Sequence, residues 1–244
     1  FEGAGLYDRT GNRLVTLRRQ QLHESTWIPE PFKNALETAE DALFGDPNNV
    51  RFGHFSPDGK TVALVHELRD GSGTVSLWNP EGKKLATLRG HRWQIAGLEF
   101  SADGSLILTH SVDQSVRIWS VPKGRLMGVW ETGGGGELNS ASMAPDGRSF
   151  AAALGESWVL CRIDGRKIEE RFRITGHSHK IVSANFSPDG SMIVTASWDG
   201  TAKLWSAKDG ALLATFVGHM GRLYCARFSA DGKKVLTVSA DGAA

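Results

Sequence analysis

The sequence predicts an all-β fold assembled from repeated four-stranded antiparallel modules, and three observations carry that prediction. A turn motif, Phe-Ser-(Pro/Ala)-Asp-Gly or a near copy, stands at Phe55 to Gly59, Phe100 to Gly104, Met143 to Gly147, Phe186 to Gly190 and Phe228 to Gly232. Its glycines are 45, 43, 43 and 42 residues apart, a period that marks a repeat architecture. Short apolar runs flank each copy, and a tryptophan recurs further on, at Trp78, Trp119 and Trp205.

The second repeat justifies the elements in order. Ile95 to Phe100 and Leu106 to Thr109 are apolar runs on either side of the turn residues Ser101 to Gly104, the pattern of a β-hairpin. Val116 to Trp119 makes a third strand, Ser120 to Gly124 a second turn, and Leu126 to Trp130 a fourth strand. Four short strands per repeat, with tryptophan closing the third, is the pattern of a β-propeller blade.

Laid along the chain, the pattern gives full blades at 50–89, 90–132, 133–175 and 176–217. Residues 1–17, with Gly5-Leu6-Tyr7 and Leu14 to Leu17, match the third and fourth strands of a blade, and 218–244 match the first and second. The two halves are expected to join as a fifth blade or to belong to a longer array; the first residue, Phe1 rather than a methionine, and the stop after Asp241-Gly242 before a third strand favour a segment of a longer multi-repeat chain. Residues 18–49 break the repeat. Within them Phe32, Leu36, Ala39 and Leu43 fall at helical spacing after Pro31 and before Gly45, which predicts an amphipathic helix over 31–44.

Composition narrows the function classes. The chain has 244 residues, 40% hydrophobic and 23% charged, so it can bury a sizeable core. Its 28 basic and 27 acidic residues are mixed, so no global field draws it to nucleic acid or an anionic membrane. No apolar stretch approaches the roughly 20 residues that a membrane helix needs. Cys161 and Cys225 each fall in an apolar strand pattern, as free buried thiols do, and form neither a disulfide framework nor a zinc site. Mixed charge and few cysteines favour the cytoplasm.

With the dipeptides Gly90-His91, Gly176-His177 and Gly218-His219 added to the third-strand tryptophans, the repeats resemble the WD40 family. Asparagine or serine follows the tryptophan where that family usually has aspartate. The resemblance implies a β-propeller and a hydrogen-bonded set of histidine, serine or threonine, aspartate and tryptophan inside each well-formed blade. By position these structural clamps are His91, Ser111, Asp113, Trp119 and His177, Ser197, Asp199, Trp205, with a third set, His219, Ser239, Asp241, lacking its tryptophan. Buried imidazoles and carboxylates need such partners to offset desolvation. The first repeat has no Gly-His before its opening strand, since Gly53-His54 lies inside that strand. The third carries Cys161 where the tryptophan belongs, so packing alone is expected to hold it.

Catalytic readings fail on the same residues. Ser, His and Asp occur together, but a nucleophilic serine needs an exposed elbow and an oxyanion hole, whereas these serines sit in apolar strands and recur per blade. Gly133 to Gly136 lacks the Lys-Ser/Thr of a phosphate loop. His177 and His179 lack a third ligand nearby. First strands carrying Gly97, Ala96, Ser140, Ser183, Ala184 and Ala226 argue against a channel enzyme.

The expectation is therefore a non-catalytic scaffold with no cofactor or metal that binds a protein or peptide. The resemblance implies contacts on one face at Trp93, Gln94, His179, Lys180, Trp198 and Arg222, which include hot-spot residue types. The alternative is a regulatory or sensor segment of a larger signalling enzyme, a kinase or NTPase, with its catalytic domain elsewhere.

Overall fold

The structure, a computed structural model, describes residues 4–7, 13–17 and 50–243. The segment 18–49 and its expected helix lie outside the described residues. Two compact units are distinguished. One comprises the chain up to Ile95 with Ser120–Arg125, and the other comprises Ala96–Trp119 with Leu126 to the end.

All described elements are strands. β1 (Ala4–Tyr7) and β2 (Arg13–Leu17) form an antiparallel pair. A four-stranded sheet follows, with β3 (Val50–Phe55), β4 (Val62–Glu67), β5 (Gly73–Trp78) and β6 (Lys84–Leu88) in sequential order. The second sheet holds β7 (Ile95–Phe100), β8 (Leu106–Ser111), β9 (Ser115–Ser120) and β10 (Leu126–Glu131). The third holds β11 (Leu138–Met143), β12 (Ser149–Leu154), β13 (Ser157–Asp164) and β14 (Lys167–Thr175). The fourth holds β15 (Ile181–Phe186), β16 (Met192–Ser197), β17 (Ala202–Ser206) and β18 (Leu212–Phe216), and β19 (Leu223–Phe228) pairs with β20 (Val235–Ser239).

The repeated turn explains why each sheet starts the same way. Ser56, Ser101, Ser187 and Ser229 each donate Oγ–H to the aspartate two residues on, at 2.6 Å. Each serine oxygen also accepts a backbone N–H from the far side of the turn, at 2.9 to 3.0 Å. The following glycine takes a left-handed φ of 69°, 71°, 67°, 73° and 69° at Gly59, Gly104, Gly147, Gly190 and Gly232, a conformation that costs glycine nothing. In the third repeat Ala144 replaces the serine, and the turn keeps its backbone bonds from Ala144 N to Ser149 O and from Gly147 N to Ala144 O.

First strands share a second device. Pairing with the next strand slips at the same place in β3, β11, β15 and β19, leaving Arg51, Asn139, Val182 and Tyr224 as bulge residues. Asn139 uses that freedom to donate Nδ2–H to Ile181 O of the next first strand at 2.9 Å.

In the second unit β12 and β16 are buried on both faces. Phe150, Ala152 and Leu154 of β12 pack with Leu108, Val116, Ile118 and Trp130 of the preceding sheet. Ala151 and Ala153, alternating with them, pack with Ile181, Ala184, Ile193 and Trp205 of the following sheet. This period of two puts opposite sides of one strand into two cores. Trp130 meets Phe150 edge-to-face at 5.7 Å and Trp158 meets Phe172 at 5.6 Å, a favoured aromatic geometry. Val194 and Ala196 are covered in turn by Leu223 and Ala226. The positions 42 residues later, Leu236 and Val238, are 57% and 39% exposed.

A candidate interaction site

In the fourth sheet a continuous hydrogen-bond chain runs from the third strand to the loop before the first. Trp205 Nε1–H donates to Thr195 Oγ1 at 2.9 Å, and Thr195 Oγ1 lies 2.8 Å from His177 Nε2. His177 Nδ1 lies 2.7 Å from Asp199 Oδ2. Burial lowers the His177 pKa against the opposing pull of Asp199, so the ring is neutral at pH 7. Its polarity then follows: the Thr195 hydroxyl donates to Nε2, and Nδ1–H donates to the carboxylate. Burial alone would raise Asp199, but bonds from Thr201 and His177 prevail and hold it at about 2. Gly176 has no side chain because a Cβ there would lie 2.8 Å from Trp205 Cη2.

The hydroxyl in this chain corrects the sequence expectation. Thr195, not Ser197, bridges histidine and tryptophan, because Thr195 faces Lys203 across the strands and so lies diagonally beside Trp205. Ser197, at the strand end, donates to His179 O at 2.9 Å and accepts Asp199 N–H at 3.1 Å. The same division holds elsewhere. Trp119 donates to Thr109 Oγ1 at 2.9 Å while Ser111 accepts Asp113 N–H at 3.0 Å. His219 bonds Thr237 Oγ1 at 2.9 Å and Asp241 Oδ2 at 3.0 Å, while Ser239 accepts Asp241 N–H at 3.2 Å. His91, in the first unit, is buried.

The first sheet has a chain that sequence reasoning missed. Trp78 Nε1–H donates to Ser76 Oγ at 2.7 Å, and Ser76 Oγ lies 2.6 Å from His66 Nε2. Burial, helped by the Lys84 charge, pushes His66 down to about 4, so it accepts the serine proton as a neutral ring. The signal is a serine two residues before the third-strand tryptophan, diagonally across from a histidine late in the second strand.

In the third sheet Cys161 is buried among Phe150, Val159 and Ile163. Burial raises its thiol pKa far above the usual range, so the thiolate chemistry of a reactive cysteine is suppressed. Trp158 packs 5.8 Å from Trp205 of the next sheet.

First strands of the second unit also hold charges that sequence reasoning passed over. Glu99 is largely buried, with Oε2 accepting Met143 N–H of β11 at 2.9 Å. Desolvation raises its pKa, opposed by bonds from Met143 and Ser142 and by the Arg227 charge. Asn185 donates to Ala226 O of β19 at 2.9 Å. These side chains tie neighbouring first strands together. Among the described residues no group of three or more His, Cys, Asp or Glu could hold a metal.

Of the six expected contact residues, the structure brings four together. His179 and Lys180 precede β15, Trp198 follows β16, and Arg222 precedes β19. Arg222 Cζ lies 4.6 Å and Lys180 Nζ 5.2 Å from the Trp198 ring centroid, within cation–π range. The His179 ring stands 5.7 Å from the same indole. Lys180 also pairs with Glu137 at 2.7 Å. Trp93 and Gln94 lie in the first unit, where Gln94 donates to Glu67, itself paired with Arg51 at 3.1 Å. Trp93 is 56% exposed, with its ring beside Gly71.

Sequential four-stranded sheets, each opened by an Asp-Gly hairpin, define a protein of β-propeller blades. The chain carries WD40 repeats: the family described as "WD domain, G-beta repeat" matches residues 82–120, 169–206 and 210–244. Related chains include a pre-mRNA-processing factor homolog, a translation initiation factor subunit and a WD repeat-containing protein. A pre-mRNA-processing factor 19 homolog 2 from Arabidopsis thaliana is 28% identical over 56% of this chain and 27% of its own length. Eukaryotic translation initiation factor 3 subunit I from Emericella nidulans is 31% identical over 56% of this chain and 44% of its own. WD repeat-containing protein 1 from Bos taurus is 26% identical over 66% of this chain and 27% of its own. The matched stretch spans less than half the length of each of these relatives.

Proposed function

We propose that this chain is a non-catalytic scaffold that docks a protein partner through the loops around Trp198, on blades stiffened by the tryptophan–hydroxyl–histidine chains. The observation that carries the reading is the convergence of Lys180, Arg222 and His179 on one half-buried indole. Tryptophan and arginine dominate the energetics of protein interfaces when anchored in a fixed setting. Here the setting is fixed by the chain from Trp205 to Asp199, which holds the loop that carries Trp198. A relative named as a subunit of an initiation factor supports work within an assembly.

Amine-reactive cross-linking of the chain in an extract of its native host, with peptide mapping, tests this. Partner cross-links concentrated at Lys180 are expected. Cross-links spread evenly over exposed lysines such as Lys60, Lys83 and Lys233 would contradict a defined docking face.

A further inference from the structure

We propose that the face around Trp198 takes an acidic peptide, with Arg222, Lys180 and His179 holding its carboxylates; this rests on the scaffold reading above. Three side chains that donate hydrogen bonds approach one ring, at 4.6, 5.2 and 5.7 Å. Their backbones are fixed before any ligand arrives. The carbonyls of His179, Lys180 and Arg222 each accept a bond at 2.9 Å, from Ser197 Oγ, Trp198 N and Ala240 N respectively. A site held in this way loses little entropy on binding.

The charge balance selects an anion. Glu137 pairs with Lys180 and is the one carboxylate that forms an ion pair with the cluster among the described residues. Arg222 is exposed and forms no ion pair among the described residues. A guanidinium lying over an indole keeps its N–H groups at the edge, where they can grip a carboxylate in bidentate fashion. His179 Nδ1 accepts Lys180 N–H at 2.8 Å, so the neutral ring carries its proton on Nε2 as a third donor. The cluster is compact, and the chain's net charge is only +1, so it lacks the extended basic track that a nucleic-acid backbone requires. A short run of aspartate or glutamate matches it in charge and size.

The test is fluorescence anisotropy of the 244-residue chain with fluorescein-labelled hexaglutamate, hexaserine and hexalysine peptides. Hexaglutamate is expected to bind, hexaserine and hexalysine not. Arg222→Ala and Lys180→Gln should each weaken binding by about tenfold, and Lys233→Ala should leave it unchanged. Arg222→Glu should transfer preference to hexalysine, a gain that misfolding cannot mimic. Absence of hexaglutamate binding, equal weakening by Lys233→Ala, or displacement by inorganic phosphate at concentrations that leave ionic strength unchanged would overturn the proposal. If hexaglutamate fails while Trp198→Ala still loses the native partner, the acidic class falls and the docking face stands. If Trp198→Ala keeps the partner, the docking face falls as well.

Discussion

The hydroxyl of Thr195 stands 2.9 Å from the indole nitrogen of Trp205 and passes that contact on to His177, 2.8 Å away. One oxygen therefore satisfies two buried ring nitrogens on different segments. Thr195→Val keeps the shape and removes the oxygen, leaving both nitrogens without that partner. Chemical denaturation should show a loss of about 2 to 5 kcal/mol. Ser197→Ala removes two turn bonds at the strand end and should cost about 1 kcal/mol. A larger loss for Ser197→Ala would return the bridging role to the serine.

Trp198 and Trp205 should separate function from stability. Trp205, 3% exposed between two sheets, should cost about 3 to 5 kcal/mol on replacement by alanine. Trp198, half-buried in the loop face, should cost under about 1.5 kcal/mol, read as a small shift in Tm. Equal losses at the two positions would make Trp198 a core residue.

The His66 ring gives stability a pH dependence whose sign is fixed. Its folded pKa of about 4 lies below the ordinary 6.5, so between those values the unfolded chain binds the extra proton. Stability is complete above pH 6.5, falls as pH drops towards 4 and then levels off for this group, with a total of about 3 kcal/mol. The lowered pKa of His177 acts in the same direction. His66→Gln should flatten the Tm profile between pH 6.5 and 4. An unchanged slope would mean that His66 protonates freely in the fold.

Glu99 should behave in the opposite sense. Its pKa is raised by burial, so its ionised form is disfavoured in the fold, and stability from this group is lost as pH rises through the carboxylate range. Glu99→Gln retains an oxygen to accept Met143 N–H without the buried charge. Thermal melts at pH 7 should show the variant at least as stable as the parent, with the difference fading in acid. Marked destabilisation at pH 7 would show that the ion interaction with Arg227 outweighs desolvation.

The blades were legible because their signals are local. An Asp-Gly turn with a serine two residues before the aspartate needs only five residues to form, and alternation along β12 sets both its faces. What was missed depends on cross-strand or cross-blade geometry. Thr195 and Ser197 share a strand face two residues apart, and only the register opposite Lys203 makes Thr195 the bridge. His66 lies outside the Gly-His position that marks the other rings in the sequence. Glu99 finds its partner 44 residues away, a contact with no mark in the sequence around it. His179, Lys180, Trp198 and Arg222 were each visible singly, but their stacking on one indole emerges only when three loops meet.

The most direct test of the docking face is the amount of native partner that co-purifies with Trp198→Ala relative to the parent chain, at matched concentration and with Tm recorded for both. Loss of most of the partner at a nearly unchanged Tm is the predicted result. Full retention of the partner would contradict the account and move the interaction to another surface.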